Sequence, residues 1–313
     1  MFATRQQRHH YIPRFYLAGF TASGRKDDKL YQFDLEQHRT SKRHPTTVAY
    51  RWDFYKIDVP GFDPSTVEDL LAKVEYAGAG AIRQIQQRQG PPDEARFADL
   101  MYFVALMMLR TPAYRQWLLQ NIELYDKIAL RSMVATPKSF DKALRQMRER
   151  GHLKSEVSYE TMKRFVGRDN YSIQVPREGL IHYTLEFLAP MSVVLSQRSW
   201  SVILADDAAG DLICSDQPVA LRWTVTNPPF PSPGLLMPYT ELTMPLNRTM
   251  ALISSFEIQI PVLPAGRPGI AALNARTAAA AQRYIYSPHE DFIWMQADGS
   301  IGSASEYVRP SHD

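Results

Sequence analysis

The sequence predicts an α+β protein: a small N-terminal antiparallel sheet, a helical middle with a buried central helix, and a mostly β C-terminal part with one late helix. Three observations lead there. Apolar and polar residues alternate from Lys29 to Leu35, as in a half-buried strand. Between residues 64 and 197, apolar positions recur at helical spacing between capping signals. Near Trp200 the period changes again, to short β-rich runs separated by Gly- and Pro-rich turns. The expected organisation is one compact domain over residues 1–313, with a β segment at 1–60, a helical core at 64–197 and a β-rich part at 199–313.

Taken in order, Arg8 to Phe20 packs aromatics, two histidines, Pro13 and Gly19 into a stretch that should be buried, although chain starts are usually frayed. Gln37 to Arg43 reads as a polar turn. Thr46–Tyr50 and Trp52–Ile57 are β-branched and aromatic and are expected as strands. Ser65-Thr66-Val67-Glu68 has the form of a capping box opening a helix to about Gln89, with Leu71, Val74, Ala77 or Gly78, Ala81 and Ile85 as its stripe. Gly78 and Gly80 should let another element approach closely. Asp93 to Arg110 is apolar on nearly all sides from Leu100 to Leu109, which marks the buried central helix. Thr111-Pro112 and Thr136-Pro137 each place an N-cap before a proline at the first helical position, opening helices to about Ala135 and Arg150. A shorter helix is expected at Ser158–Val166, and a longer one at Glu178–Gln197 interrupted by Pro190. The β-rich part should hold strands at 199–205, 211–215, 219–225, 241–245 and 249–254, a proline-rich loop at 227–238, a helix at 274–286 and a terminal strand at 291–296.

Composition narrows the function classes. A formal charge of +3 is too small to mark a nucleic-acid binder by itself. The single cysteine, Cys214, excludes an intramolecular disulfide framework and a thiolate-rich zinc site, and suits a reducing compartment. The opening residues are polar and basic, and the most apolar run, Phe97–Leu109, is shorter than a membrane span, so a cytoplasmic protein without membrane contact is expected. No G-x-x-x-x-G-K loop and no H-E-x-x-H motif occurs. Cys214 alternates with Ile213 on an expected strand and reads as a small buried residue. Glu178, His182 and Glu186 read as a solvated helix face. The stripe Lys142, Arg145, Arg148 and Arg150 is the best candidate in the sequence for a nucleic-acid surface.

Polar residues able to carry chemistry sit beside buried segments: His10 and Arg14 among the N-terminal aromatics, Asp53 after Trp52, Glu75 on the first long helix, Arg110 and Arg115 around a helix junction, Ser215-Asp216 at a strand end, and Glu241 before Pro245. Glu68 shares a face with Glu75 and reads as the capping-box partner. Of the two histidines, His9 is read as structural or exposed and His10 is retained.

The run His10-Tyr11-Ile12-Pro13-Arg14-Phe15-Tyr16-Leu17-x-x-Phe20 resembles the opening signature of DUF4238, a bacterial family of unknown function. Asp53-Phe54-Tyr55, the Glu68–Glu75 helix, Arg110-Thr111-Pro112-x-x-Arg115, Trp200, Ser215-Asp216-Gln217-Pro218-Val219 and Glu241-Leu242-Thr243-Met244-Pro245-Leu246 extend the resemblance in order. Gln217 departs from it, since asparagine is commoner there in the family. The resemblance brings a residue list and no activity.

Two readings follow. In the first, the protein is a hydrolase or nuclease acting on phosphodiesters. Glu75 and Asp216, or alternatively Asp53 and Glu241, hold Mg²⁺ or Mn²⁺ through hard oxygen ligands. His10 moves a proton with Glu75 and Asp216 as its catalytic partners, and Arg14, Arg110, Arg115 and Ser215 bind a nucleic acid or nucleotide. In the second, the protein is a non-catalytic binding or interaction protein whose Arg, carboxylate and His residues form a structural network.

Overall fold

The computed structural model describes residues 6–57, 63, 66–152, 155, 157–257 and 260–308. The chain divides into two compact units where one was expected: Met1–Tyr114 with Ile181–Asp313, and Arg115–Leu180. The architecture is α+β.

The first unit opens with β1 (Arg8–His10), the short helix α1 (Arg14–Ala18), β2 (Leu30–Asp34), β3 (Arg39–Arg43), a 3-10 turn at Pro45–Thr47 and β4 (Tyr50–Trp52). Two expectations change here. The 37–43 segment, expected as a turn, supplies β3, whose polar residues lie at a sheet edge where no apolar alternation is required. The 46–57 segment yields only the three residues of β4, because Ala49 and Asp53 both adopt positive φ and cut the extended run at either side.

Helices α2 (Thr66–Arg88) and α3 (Glu94–Leu109) follow. Ser65 of the expected capping box lies outside the described residues. The α2 stripe buries Leu71, Gly78, Ala81 and Ile85, and a Cβ added at Gly78 would sit 2.4 Å from Cγ of Phe103, so glycine is what lets α2 and α3 approach there. Asp93 caps α3 by accepting from the Arg96 backbone N–H at 3.0 Å. From Leu100 to Leu109 nearly every α3 side chain is buried, and these join Ile12, Leu17 and Phe20 in the main core.

The unit boundary falls inside α4 (Pro112–Met133), and the second unit continues with α5 (Pro137–Glu149), α6 (Tyr159–Arg168) and the start of α7 (Arg177–Ser196). Thr136 and Ser139 form a reciprocal capping box at the start of α5, and Asp169 ends α6 in the left-handed conformation. This unit has its own small core of Val134, Phe140 and Val166. Lys142, Arg145 and Arg148 on α5, and Arg150 at its C-cap, are exposed. Helix α7 continues through Pro190, where an interruption was expected. It is the one described helix long and apolar enough to cross a membrane, and its Ile181, Leu188 and Leu195 are buried in the main core.

The first unit resumes with β5 (Ser199–Ala205), β6 (Cys214–Ser215), β7 (Ala220–Trp223), β8 (Thr240–Asn247), β9 (Met250–Ser255), β10 (Val262–Ala265), α8 (Arg267–Ala280), β11 (Tyr284–Ser287), β12 (Ile293–Met295), β13 (Ile301–Ser303) and α9 (Ala304–Val308). Strands β10-β5-β9-β8-β7 form one sheet and β3-β2-β11-β6 another, while β1-β4 and β12-β13 are two-stranded ribbons. The expected 274–286 helix is shifted: α8 starts at Arg267 with Pro268 in its first turn, and its former tail is β11. Strand β10, parallel to β5, was not expected, since Pro261 and Pro264 hide it.

Candidate functional site

The N-terminal stretch is a strap, fastened at several points along its length. Strand β1 pairs with β4 as Arg8↔Trp52, His9↔Arg51 and His10↔Tyr50. Asp53 extends the ribbon: its backbone N–H donates to Gln7 O at 2.9 Å, and its carboxylate accepts from the Gln7 N–H at 3.0 Å. Beyond Pro13 the Tyr16 hydroxyl donates to the Pro245 carbonyl on β8. Gly19 passes so close to β8 that an added Cβ would lie 2.9 Å from the Asn247 Cβ. The first and last stretches of the resemblance therefore meet, and the Tyr16 and Gly19 spacings follow from that crossing.

His9, read from the sequence as structural or exposed, is the buried histidine of the pair. Its Nδ1 accepts from the Tyr55 backbone N–H at 2.7 Å, which leaves the proton on Nε2, 2.8 Å from Glu68 Oε1. Glu68 thus joins the strap to α2. The signal available in the sequence was strand alternation, which points His9 and His10 to opposite sides.

Arg110, at the C-terminal cap of α3, is only 3% exposed. Nη1 donates to Glu75 Oε1 at 2.6 Å and Nη2 donates to the His10 carbonyl. The guanidinium lies over the Tyr55 ring, and the Tyr55 hydroxyl donates to the Arg110 carbonyl at 3.3 Å. Burial opposes its charge, but Tyr55 and Glu75 outweigh that and raise its pKa. His10, Glu75 and Arg110 are therefore brought together, and Glu75 also lines a cleft of about 720 Å³ with Arg14, Lys26, His44 and Thr46.

His10 is held neutral. Burial first, and then the positive charge of Arg14, push its pKa down to about 4, and its Nε2 is buried without a hydrogen-bond partner. The unfolded chain takes up this proton near pH 6.5, so between about 6.5 and 4 the unfolded state binds more protons and stability falls as pH falls. Allowing for solvent screening of a partly exposed ring, the loss is roughly 2 kcal/mol. Urea midpoints at pH 7 and pH 4.5 check this: His10→Gln should flatten the difference, and an unchanged difference would remove His10 as its source.

Asp216 has a different set of partners, and its charge acts on Tyr11 of the strap and on Tyr286. Oδ1 accepts from the Gln282 N–H at 2.8 Å, and Oδ2 from the Arg283 and Tyr284 N–H groups at 2.9 and 3.1 Å. Burial nevertheless holds its carboxyl above the usual range. Ser215 closes a local turn, its hydroxyl donating to Gln217 O and accepting from the Gln217 N–H. Together they fasten β6 to the turn that enters β11. Glu241 on β8 bridges Arg222 at 3.0 Å and Arg276 at 2.7 Å. Arg115 is half-buried on α4 in the second unit, and Arg14 is exposed at the start of α1.

The metal arrangement expected from Glu75 and Asp216, with Asp53 or Glu241 as alternatives, therefore finds each carboxylate already engaged by a guanidinium or by backbone N–H groups. Among the described residues no three His, Cys, Asp or Glu side chains converge as a metal site. His182 and Glu186 pair on an exposed face of α7 at 3.1 Å, and Cys214 is buried with its thiol pKa raised by burial.

No curated protein and no solved structure matches the chain. A family model described as a protein of unknown function matches residues 8–291, from the first residue of β1 to the loop beyond β11, and the chain belongs to that family, DUF4238.

Proposed function

We propose that this is a non-catalytic binding protein in which the Arg, carboxylate and His residues of the strap junction hold a binding surface in shape. Arg110 carries the reading. A guanidinium 3% exposed, whose Nη1 donates to Glu75 and Nη2 to a strap carbonyl, ties the strap to α2 from inside the core, and its Nε, the one donor left without a partner, is itself buried. Asp216 supports it in the same way, since its acceptors are taken by three backbone N–H groups.

A phosphodiester hydrolase using Mg²⁺ or Mn²⁺ is the second reading, and the observation that favours it is the His10 Nε2, left without a hydrogen-bond partner near Arg14 and Arg110. One experiment separates the two. Wild type, Glu75→Gln and Asp216→Asn are incubated with RNA, DNA and nucleotides in Mg²⁺ or Mn²⁺, and their unfolding midpoints are measured alongside. The binding reading expects no turnover by the wild type and a lowered midpoint in both variants. Metal-dependent turnover that a folded Glu75→Gln loses would overturn it in favour of the hydrolase.

A further inference from the structure

The strap junction frames a second surface that the candidate residues leave out. On β3, Arg39, Ser41 and Arg43 alternate onto one face of the four-stranded sheet. Their register partners on β2 are Asp34, Gln32 and Leu30, and β11 sets Tyr284 beside Asp34. This face is the floor of a groove of about 520 Å³, and residues 47–52, ending in β4, form its wall. The wall brings Arg51 on one side of β4 and Tyr50 and Trp52 on the other, all three lining the groove and Trp52 49% exposed. Arg8 lies over the Tyr50 and Trp52 rings, 4.9 and 5.0 Å from their centroids, and props them at the rim.

The charges are uncompensated. Asp34 is the one carboxylate lining the groove, and Arg283 already holds it through contacts of 2.8 to 3.2 Å. Among the described residues, Arg39, Arg43 and Arg51 pair with no carboxylate. A charged edge strand also discourages unwanted sheet pairing, but that needs neither a third arginine on the opposite wall nor a half-exposed tryptophan.

We propose that this groove binds single-stranded nucleic acid, with Arg39, Arg43 and Arg51 taking phosphates and Trp52 and Tyr50 stacking on unpaired bases. The proposal rests on the binding reading and names its partner. Stacking rings at the rim of a basic groove suit splayed bases and not a duplex, whose bases are already stacked. The basic stripe on α5 is the weaker candidate, since its exposed charges are not combined with aromatic rings in a concave surface.

The test is fluorescence anisotropy with labelled oligothymidylate and oligouridylate of about twelve nucleotides, against a duplex of the same length and vesicles containing phosphatidylserine. Single strands should bind at least about tenfold more tightly than either control. Three phosphate contacts predict a slope of log affinity on log salt of about −2. Trp52→Ala should weaken binding about 5- to 150-fold, while Trp52→Phe keeps most of the affinity. The triple variant Arg39→Gln, Arg43→Gln, Arg51→Gln should bring the slope close to zero. These side chains are exposed, so unfolding midpoints should match the wild type. No binding of single strands, equal binding of duplex or vesicles, or Trp52→Ala without effect would each overturn the groove. Such a failure leaves the binding reading standing if Glu75→Gln lowers stability and the wild type shows no turnover, whereas metal-dependent turnover removes that reading whatever the groove does.

Discussion

Replacing Arg110 with methionine should destabilise the protein by about 3–5 kcal/mol, the cost of breaking a buried ion pair from one side. The side chain is 3% exposed, and its loss strands Glu75, whose carboxylate is only partly open to water, together with the His10 carbonyl. Methionine fills comparable volume, so the loss is electrostatic and not a cavity. Against a typical total of about 5–15 kcal/mol this removes a large share of the stability. Urea denaturation of wild type and Arg110→Met checks it. A change below about 1 kcal/mol would place Arg110 among ordinary surface ion pairs and remove the structural reading of the junction.

Asp216→Asn should be the second large effect, at about 2–3 kcal/mol. An asparagine keeps one acceptor oxygen and turns the other position into an NH₂ facing a backbone N–H, so at least one of the three backbone donors from Gln282, Arg283 and Tyr284 meets another donor. The damage should be local to the turn entering β11. Amide hydrogen exchange at residues 282–284 should therefore speed up more than in α2 or α3. Exchange unchanged at those amides, with stability retained, would mean the clamp is dispensable.

The helical frame was legible because its signals are local. The glycines and small residues of α2, the uninterrupted apolar run of α3 and the Thr-Pro pairs each state their role in a few residues. The misreadings have physical causes too. Strand β3 lies at a sheet edge and needs no apolar face, so Arg39-Thr40-Ser41-Lys42-Arg43 looked like a turn. Proline hid β10 and the true start of α8, because Pro264 and Pro268 sit where a missing N–H is tolerated. At the junction, the residue types were readable and their partners were not. Nothing local to Asp216 shows that its carboxylate will meet backbone 66 residues away. His9 was read as structural or exposed, and it is the buried structural one; two adjacent histidines point to opposite sides of a strand, and the sequence does not say which side is the core. The groove is not readable locally either: Arg39 meets Arg51 and Trp52 only where the β1-β4 ribbon faces the four-stranded sheet.

Under the binding reading the Arg110–Glu75 pair holds structure and does not serve chemistry. A double-mutant cycle measures it directly: wild type, Arg110→Met, Glu75→Met and the double variant, each unfolded in urea at pH 7. The expected coupling is about 1.5–3 kcal/mol, as for a hydrogen bond between charged groups, with the double variant more stable than Arg110→Met alone because the stranded carboxylate is gone. A coupling near zero, with the double variant no more stable than Arg110→Met, would contradict it.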